Sequence, residues 1–164
     1  MIQLLETNLN LGDDVLHLLH DIEPNSGFLN NEFDLSSSDF SQHLVSLINH
    51  SKGINLPEGW VPYSTYWLFV NEKPVGVSRL RHTLSNYLKE FGGHIGYAIG
   101  KNERKKGYGS EILRLTIEKA IGMNINKLLL TCSTLNFGSQ KVIKKNGGLL
   151  IDCKNGMNYY SIEK

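Results

Sequence analysis

Stretches whose apolar residues recur every three or four positions alternate along this chain with short stretches that are apolar throughout or at every second position. That pattern predicts helices interleaved with strands. Residues 1–8 read as a first strand. Over Gly12 to Ile22, Val15, Leu16, Leu18 and Leu19 form one apolar face, and Asp13 and Asp14 suit the positive N-terminal end of a helix. Residues 23–36, rich in Asn, Pro, Gly and Ser, read as loop. Ser38 or Asp39 is placed to cap a second helix through His50, with Phe40, Leu44, Leu47 and Ile48 at helical spacing. Gly53, Pro57, Gly59 and Pro62 break residues 51–64 into another loop.

From Thr65 the pattern turns to strands. Tyr66–Asn71 and Pro74–Leu84 are predicted to form a hairpin around Asn71-Glu-Lys-Pro74. After a short connection at Asn86–Phe91 comes a central strand, Gly92–Gly100, then a loop and helix over 101–122. Ile112, Leu113, Leu115, Ile117, Ala120 and Ile121 give that helix a broad apolar face, and Gly122 is the expected stop. Lys127–Cys132 is nearly continuous in apolar residues, as a buried strand would be. A short helix then runs to Asn146-Gly147-Gly148, and Leu149–Cys153 and Asn158–Ile162 close the chain around a turn at Lys154-Asn-Gly156. The expectation is an α/β fold in one domain, 1–164, with a mixed sheet and helices on both faces.

Composition adds little against this and excludes several classes. The chain has 164 residues, 40% of them apolar and 20% charged, with a net charge of +1, so no global basic field draws it to nucleic acid or membrane. Lys101, Arg104, Lys105, Lys106, Lys141, Lys144 and Lys145 nevertheless gather in one half of the sequence. Cys132 and Cys153 make neither a disulfide framework nor a metal site. The N-terminus lacks the basic segment and apolar run of a signal peptide, and no stretch reaches the about 18 apolar residues of a membrane span. The expected location is cytoplasmic.

The candidate chemistry centres on Arg104-Lys-Lys-Gly107-Tyr-Gly109-Ser110, between the central strand and its helix. The first turn of a helix carries unpaired amides and partial positive charge, and glycine lets backbone approach a phosphate closely. The turn is not the G-x-G-x-x-G of dinucleotide folds, nor does the chain hold a G-x-x-x-x-G-K-[ST] loop. Its R-x-x-G-x-G pattern resembles the acyl-CoA pyrophosphate loop of the GNAT superfamily of N-acetyltransferases. The element order around it is similar too, closely over residues 92–150 and loosely over 65–164. Arg-Leu-Arg-His at 79–82, Gly-Gly-His-Ile-Gly-Tyr at 92–97 and Leu-Leu-Thr-Cys at 129–132 look like a poorly characterised bacterial branch.

The resemblance implies a mostly antiparallel sheet, splayed where acetyl-CoA lies along the central strand, and transfer of the acetyl group by direct attack of an amine. The backbone of Tyr97, Ala98 and Ile99 would pair with the pantetheine arm. Amides from Arg104 through Lys105, Lys106, Gly107, Tyr108 and Gly109 to Ser110 would hold the pyrophosphate. Asn136, with Ser139 beside it, would contact the arm. Many relatives place an acidic tyrosine seven residues after that asparagine, where this chain has Ile143, so Cys132, Tyr108 or water is left to serve the departing thiolate. Many also carry a glutamate base on the central strand; here the strand offers His94 instead, with His82 and Glu90 as further candidates.

Each of these residues also has a plainer reading. Strand histidines are commonly structural, and Cys132 reads first as a small buried hydrophobe. Arg79 and Arg81 are either solvated or select an acidic acceptor, while Trp60 and Tyr63 either pack or wall an acceptor pocket. Two functions follow: an acetyl-CoA-dependent N-acetyltransferase acting on a primary amine of a small molecule or peptide, or a non-catalytic acyl-CoA-binding module. The acceptor is left open, and an exposed closing strand would support a homodimer.

Overall fold

The computed structural model describes residues 1–164. Its elements follow in order as β1 (Ile2–Glu6), α1 (Asp13–Asp21), α2 (Ser37–Ser51), β2 (Tyr63–Val70), β3 (Lys73–Arg81), α3 (Asn86–Glu90), β4 (Ile95–Ile99), α4 (Tyr108–Gly122), β5 (Lys127–Ser133), α5 (Phe137–Lys145), β6 (Leu149–Lys154) and β7 (Met157–Glu163). The expected mixed α/β architecture is present, and all strand pairs are antiparallel.

Strands β1-β2-β3-β4 make one sheet and β5-β7-β6 another. Both hairpin turns are two residues long with positive φ at each: Asn71 and Glu72 (48° and 67°), and Asn155 and Gly156 (52° and 75°). This is the geometry whose twist matches a right-handed hairpin. Pro74 therefore belongs to β3 rather than to the turn.

The two sheets meet at one point. Gly93 bridges Leu130, and the His94 amide donates to the Leu129 carbonyl at 2.7 Å. From Ile95 onward β4 pairs with β3 alone. The central strand is thus shorter than 92–100, because its first residues turn away to make this junction. Gly100 donates its amide to Val75 on the β3 side. Backbone groups of successive strand residues point to opposite edges, so Gly96 and Ala98 share that side while Tyr97 and Ile99 face the gap.

Alternation also sorts the side chains. Leu80, Ile95 and Ile99 join Ile112, Leu113, Ile117, Leu128, Leu130, Ile143 and Tyr160 in a core under α4 and α5. Val77 and Ala98 join Val15, Leu19, Phe40, Leu44, Leu47 and Trp67 under α1 and α2. Between α4 and β3 the buried Thr116 hydroxyl is satisfied by the Ile112 carbonyl and the Ser78 hydroxyl, both at 2.7 Å.

Several local expectations shift. The α2 cap is Ser36, whose hydroxyl accepts from the Asp39 amide at 3.3 Å. Residues 86–90 form a short helix, α3, capped by Ser85. Gly122 is still helical; the left-handed residue beyond α4 is Asn124, at φ 61°. β5 is not buried throughout but alternates, because only one of its faces meets the core. β6 is exposed along its length.

Candidate active site

The basic turn is built to leave amides unspent. After a single 3-10 turn, Lys101–Glu103, the chain passes through left-handed conformations at Lys105 (φ 64°) and Gly107 (φ 87°) before α4 begins. The Ser110 and Glu111 amides fold back onto the Gly107 carbonyl at 3.1 and 3.3 Å. Those of residues 105–109 donate to no protein acceptor. Such a concave run of amides at a helix N-terminus suits an anion. Ser110 differs from its neighbours: its amide is used, and its carbonyl accepts from the Asn146 side chain at 3.2 Å.

The cations of the turn are partly compensated. Arg104 pairs with Glu23 and donates Nε–H to the Ile99 carbonyl at 3.2 Å. Lys106 reaches Glu103 at 2.7 Å, and Lys73 holds that carboxylate from its other side. Arg104 keeps Glu23 below the ordinary carboxylate range, and Lys106 and Lys73 do the same for Glu103. Lys105 has no such partner.

The gap between β4 and β5 is bounded at one end by α5. Asn136 caps that helix, its Oδ1 accepting from the Ser139 amide at 3.1 Å, which leaves its amide N–H groups free. The loop 23–36 crosses the same gap: a Cβ at Gly27 would stand 2.9 Å from Asn136 Nδ2, and one at Gly96 would stand 3.6 Å from Phe28.

On the α4–α5 side of β4 the Tyr97 hydroxyl is buried and makes no hydrogen bond. Ser139 stands close enough to pull its pKa down, though not in bonding geometry, and burial prevails, pushing it up to about 12. Ser139 and Ile143 lie one helical turn apart, on one face of α5. Ile143 is core, 1% exposed. Cys132 is also buried, and that burial raises its thiol pKa despite Lys144. It is not an activated nucleophile. Tyr108, the first residue of α4, packs partly against the same core.

The candidate bases are dispersed. His94 Nδ1 accepts the Leu129 amide at 2.9 Å, completing the β4–β5 junction. The proton then sits on Nε2, and the ring has no lone pair left for an incoming ammonium. His82 is bonded to the Ser64 hydroxyl at 3.0 Å and lines a separate cleft with Glu6, Tyr66, Glu118 and Lys119, toward the far end of α4. Glu90 is tied to Lys154 at 3.1 Å. The structure does not bring the three together.

Burial holds His94 below the ordinary imidazole range, against the pull of the Leu129 backbone, and lowers His43 and His82 as well. Such groups take up protons more readily when the chain is unfolded. Stability is therefore full above the unfolded pKa near 6.5 and declines as the pH falls below it. Thermal melting between about pH 7.5 and about pH 5 should show that decline. His94→Gln, which keeps an acceptor for Leu129, should flatten it; an unchanged slope would assign the effect to the other two histidines.

On the α1–α2 side, Arg79 holds both oxygens of Glu32 at 2.9 and 2.8 Å, with His43 at 3.7 Å from the same carboxylate. Arg81 projects from the same face and has no carboxylate partner. Tyr63 is buried with its hydroxyl bonded to His50 Nδ1 at 2.8 Å, and the half-exposed Trp60 packs against it at a 53° tilt with ring centroids 5.9 Å apart. Sequence reasoning passed over Glu23, Phe28 and Glu32. They lie in a loop without periodicity, and only the fold carries them across the gap.

The chain matches the family model for the acetyltransferase (GNAT) domain over residues 39–148. No curated protein sequence matches it. Among solved structures it resembles the Campylobacter jejuni N-acetyltransferase PseH in complex with acetyl coenzyme A (TM-score 0.66, 16% identity, 100% of this chain and 99% of that one). It also resembles the microcin C7 self-immunity acetyltransferase MccE in complex with acetyl-CoA and AMP (TM-score 0.70, 18% identity, 99% and 92%). A third likeness is to a GNAT-family acetyltransferase from Streptococcus pneumoniae (TM-score 0.63, 18% identity, 100% and 98%). At these identities the structural likeness is one of fold.

Proposed function

Because the chain belongs to the GNAT acetyltransferase domain family, we propose that it is an acetyl-CoA-dependent N-acetyltransferase acting on a primary amine. The observation that carries this reading is the run of unspent amides at 105–109, at the head of α4 and next to the open edge of β4. The turn suits the pyrophosphate, and the free edge at Tyr97 and Ile99 suits the pantetheine arm. Ala98, whose backbone serves β3, drops out of that pairing, and the Ile99 carbonyl is already engaged by Arg104. The amide N–H groups of Asn136 are available to the arm, with Ser139 behind them. Two free cysteines fit a reducing cytoplasm, and the exposed edge strand β6, with Leu149, Leu150 and Ile151 in water, is the surface a homodimer would use.

In the reaction the neutral amine attacks the thioester carbonyl carbon and its lone pair becomes the C–N bond. The C–S bond breaks, and sulfur leaves with the electron pair. Holding both reactants in one cleft removes the entropy of encounter, and an amide at the gap edge meets the developing oxyanion. With its lone pair committed, His94 is a positioning residue that holds the β4–β5 junction, and both the proton of the ammonium and the one the nitrogen sheds after attack leave to water.

The Tyr97 phenol comes from β4 to the face of α5 that bears Ile143. With a pKa near 12 it keeps its proton against a thiolate, and once the arm parts the side chains that cover it the phenol would donate a hydrogen bond to the departing sulfur. A hydrogen bond to a charged group contributes about 1.5–3 kcal/mol. Tyr97→Phe should therefore lower kcat by roughly 10–100-fold with little change in acetyl-CoA affinity; an unaltered kcat would free Tyr97 of this role.

Ile143 and the committed His94 favour a second reading, a module that binds acyl-CoA without turning it over. Calorimetric titration with acetyl-CoA, against ATP and NAD, tests both readings together. Selective binding followed by thiol release on an amine panel supports the enzyme, binding without release supports the module, and no binding removes both.

A further inference from the structure

We propose that the acceptor amine belongs to a small molecule that also carries an anionic group, a carboxylate or phosphate, and that Arg81 holds that group. The inference deepens the acetyltransferase reading and rests on it.

Arg79 and Arg81 lie two residues apart on one face of β3, and their surroundings differ. Arg79 is compensated by both oxygens of Glu32, donates to the Leu29 carbonyl at 3.1 Å and stacks on the Phe28 ring at 4.8 Å. Arg81 is half-buried and only its Nη1 is engaged, by the carbonyls of Gly93 at 3.1 Å and Gly92 at 3.4 Å. Its Nε and Nη2 donate to nothing, and no carboxylate stands within ion-pair distance. The charged and titratable groups that act on it are Arg79, Tyr63, Tyr87 and His94, and no carboxylate is among them.

A half-buried charge without a counter-charge carries part of the desolvation cost, and guanidinium cannot escape it by losing its proton as lysine can. Burial and Arg79 lower the Arg81 pKa only to about 10, so it stays cationic. Arginine's planar fork, with two edges unspent, matches a carboxylate or phosphate.

Position makes this an acceptor feature. A Cβ at Gly96 would stand 3.8 Å from Arg81 Nη1, so the guanidinium lies over a glycine, next to the Tyr97 backbone that faces the gap. With the thioester against the Tyr97 backbone, one or two residues of strand, about 3–7 Å, would separate it from the anion. That favours acceptors with a short spacer between amine and anion.

The test uses CoA-loaded protein. β-Alanine, phosphoethanolamine and inorganic phosphate are titrated calorimetrically against propylamine, in wild type, Arg81→Gln and Arg81→Lys. In parallel, acetyl transfer to the three amines is followed by thiol release. We expect wild type to bind at least one anionic amine and to prefer it to propylamine. Binding should fall at least tenfold in Arg81→Gln and severalfold in Arg81→Lys, which keeps the charge and loses the fork. The carboxylate and phosphate arms tell which oxyanion is read. No anion binding by wild type, equal use of propylamine, or undiminished binding in the variants would each overturn the proposal; if Arg81→Gln loses its fold by circular dichroism, Arg81→Lys decides. Failure of acetyl-CoA binding with anion binding intact would instead remove the enzyme reading and leave the Arg81 site standing.

Discussion

Gly107→Val is expected to weaken acetyl-CoA binding by roughly 10–100-fold while leaving a folded protein. Gly107 caps α4 at φ 87° and ψ −6°, a conformation that a β-branched residue resists. Apart from its chain neighbours, no protein atom lies within 4 Å of a Cβ at this position, so the substitution meets no packed side chain in the free protein. The cost is strain of about 1–3 kcal/mol, relieved only by re-aiming the turn. Re-aiming displaces the amides of residues 105–109, and every 1.4 kcal/mol lost is tenfold in affinity. The added methyl groups also occupy space that the pyrophosphate would need. Calorimetry alongside circular dichroism reads both effects. Undiminished affinity in a folded variant would show that the cofactor does not use this turn.

Gly93→Ala is expected to cost about 2–4 kcal/mol of stability, combining overpacking with backbone strain. At φ 60° its Cβ would stand 2.2 Å from the Leu129 carbonyl oxygen and 3.2 Å from the Leu130 Cα. These are backbone atoms of the neighbouring strand, so relief requires opening the junction. That removes the His94–Leu129 hydrogen bonds on which the two sheets meet. Gly59→Ala is the control, with φ 78° and no atom within 4 Å, and should cost only the conformational strain. Urea unfolding of both variants separates contact from strain; equal losses would deny the junction its structural part. Because the gap between β4 and β5 opens from this junction, Gly93→Ala should weaken acetyl-CoA binding as well.

Much of the fold was legible because its signals are short in range. Val15, Leu16, Leu18 and Leu19 announce α1, and Asn155-Gly156 announces a tight hairpin. The cap at Asn136 went unread although it is just as local, since its carboxamide needs only the Ser139 amide one turn on. Errors fell where a local signal had rivals. Ser36, Ser37, Ser38 and Asp39 are all competent caps, and only the place where α2 meets its core selects Ser36. β5 reads as buried because Leu128, Leu129 and Leu130 are alike, yet Leu129 faces out and lends its backbone to the junction.

His94 shows the limit most clearly. Its residue type and strand invite a base, but what it can do depends on which amide meets Nδ1, and that amide comes from Leu129, 35 residues away. Compensation of charge is non-local in the same way. Glu32 reaches Arg79 across 47 residues, and Glu23 reaches Arg104 across 81. The sequence by itself determined most of the elements and the basic glycine turn, because backbone conformation at Lys105 and Gly107 and helix initiation at Tyr108 are settled within a few residues. The tertiary structure alone decided where β4 parts from β5, which histidine lone pair is spent and which arginine is left without a counter-charge. Those outcomes depend on groups brought within a few ångströms by the packing of the whole chain.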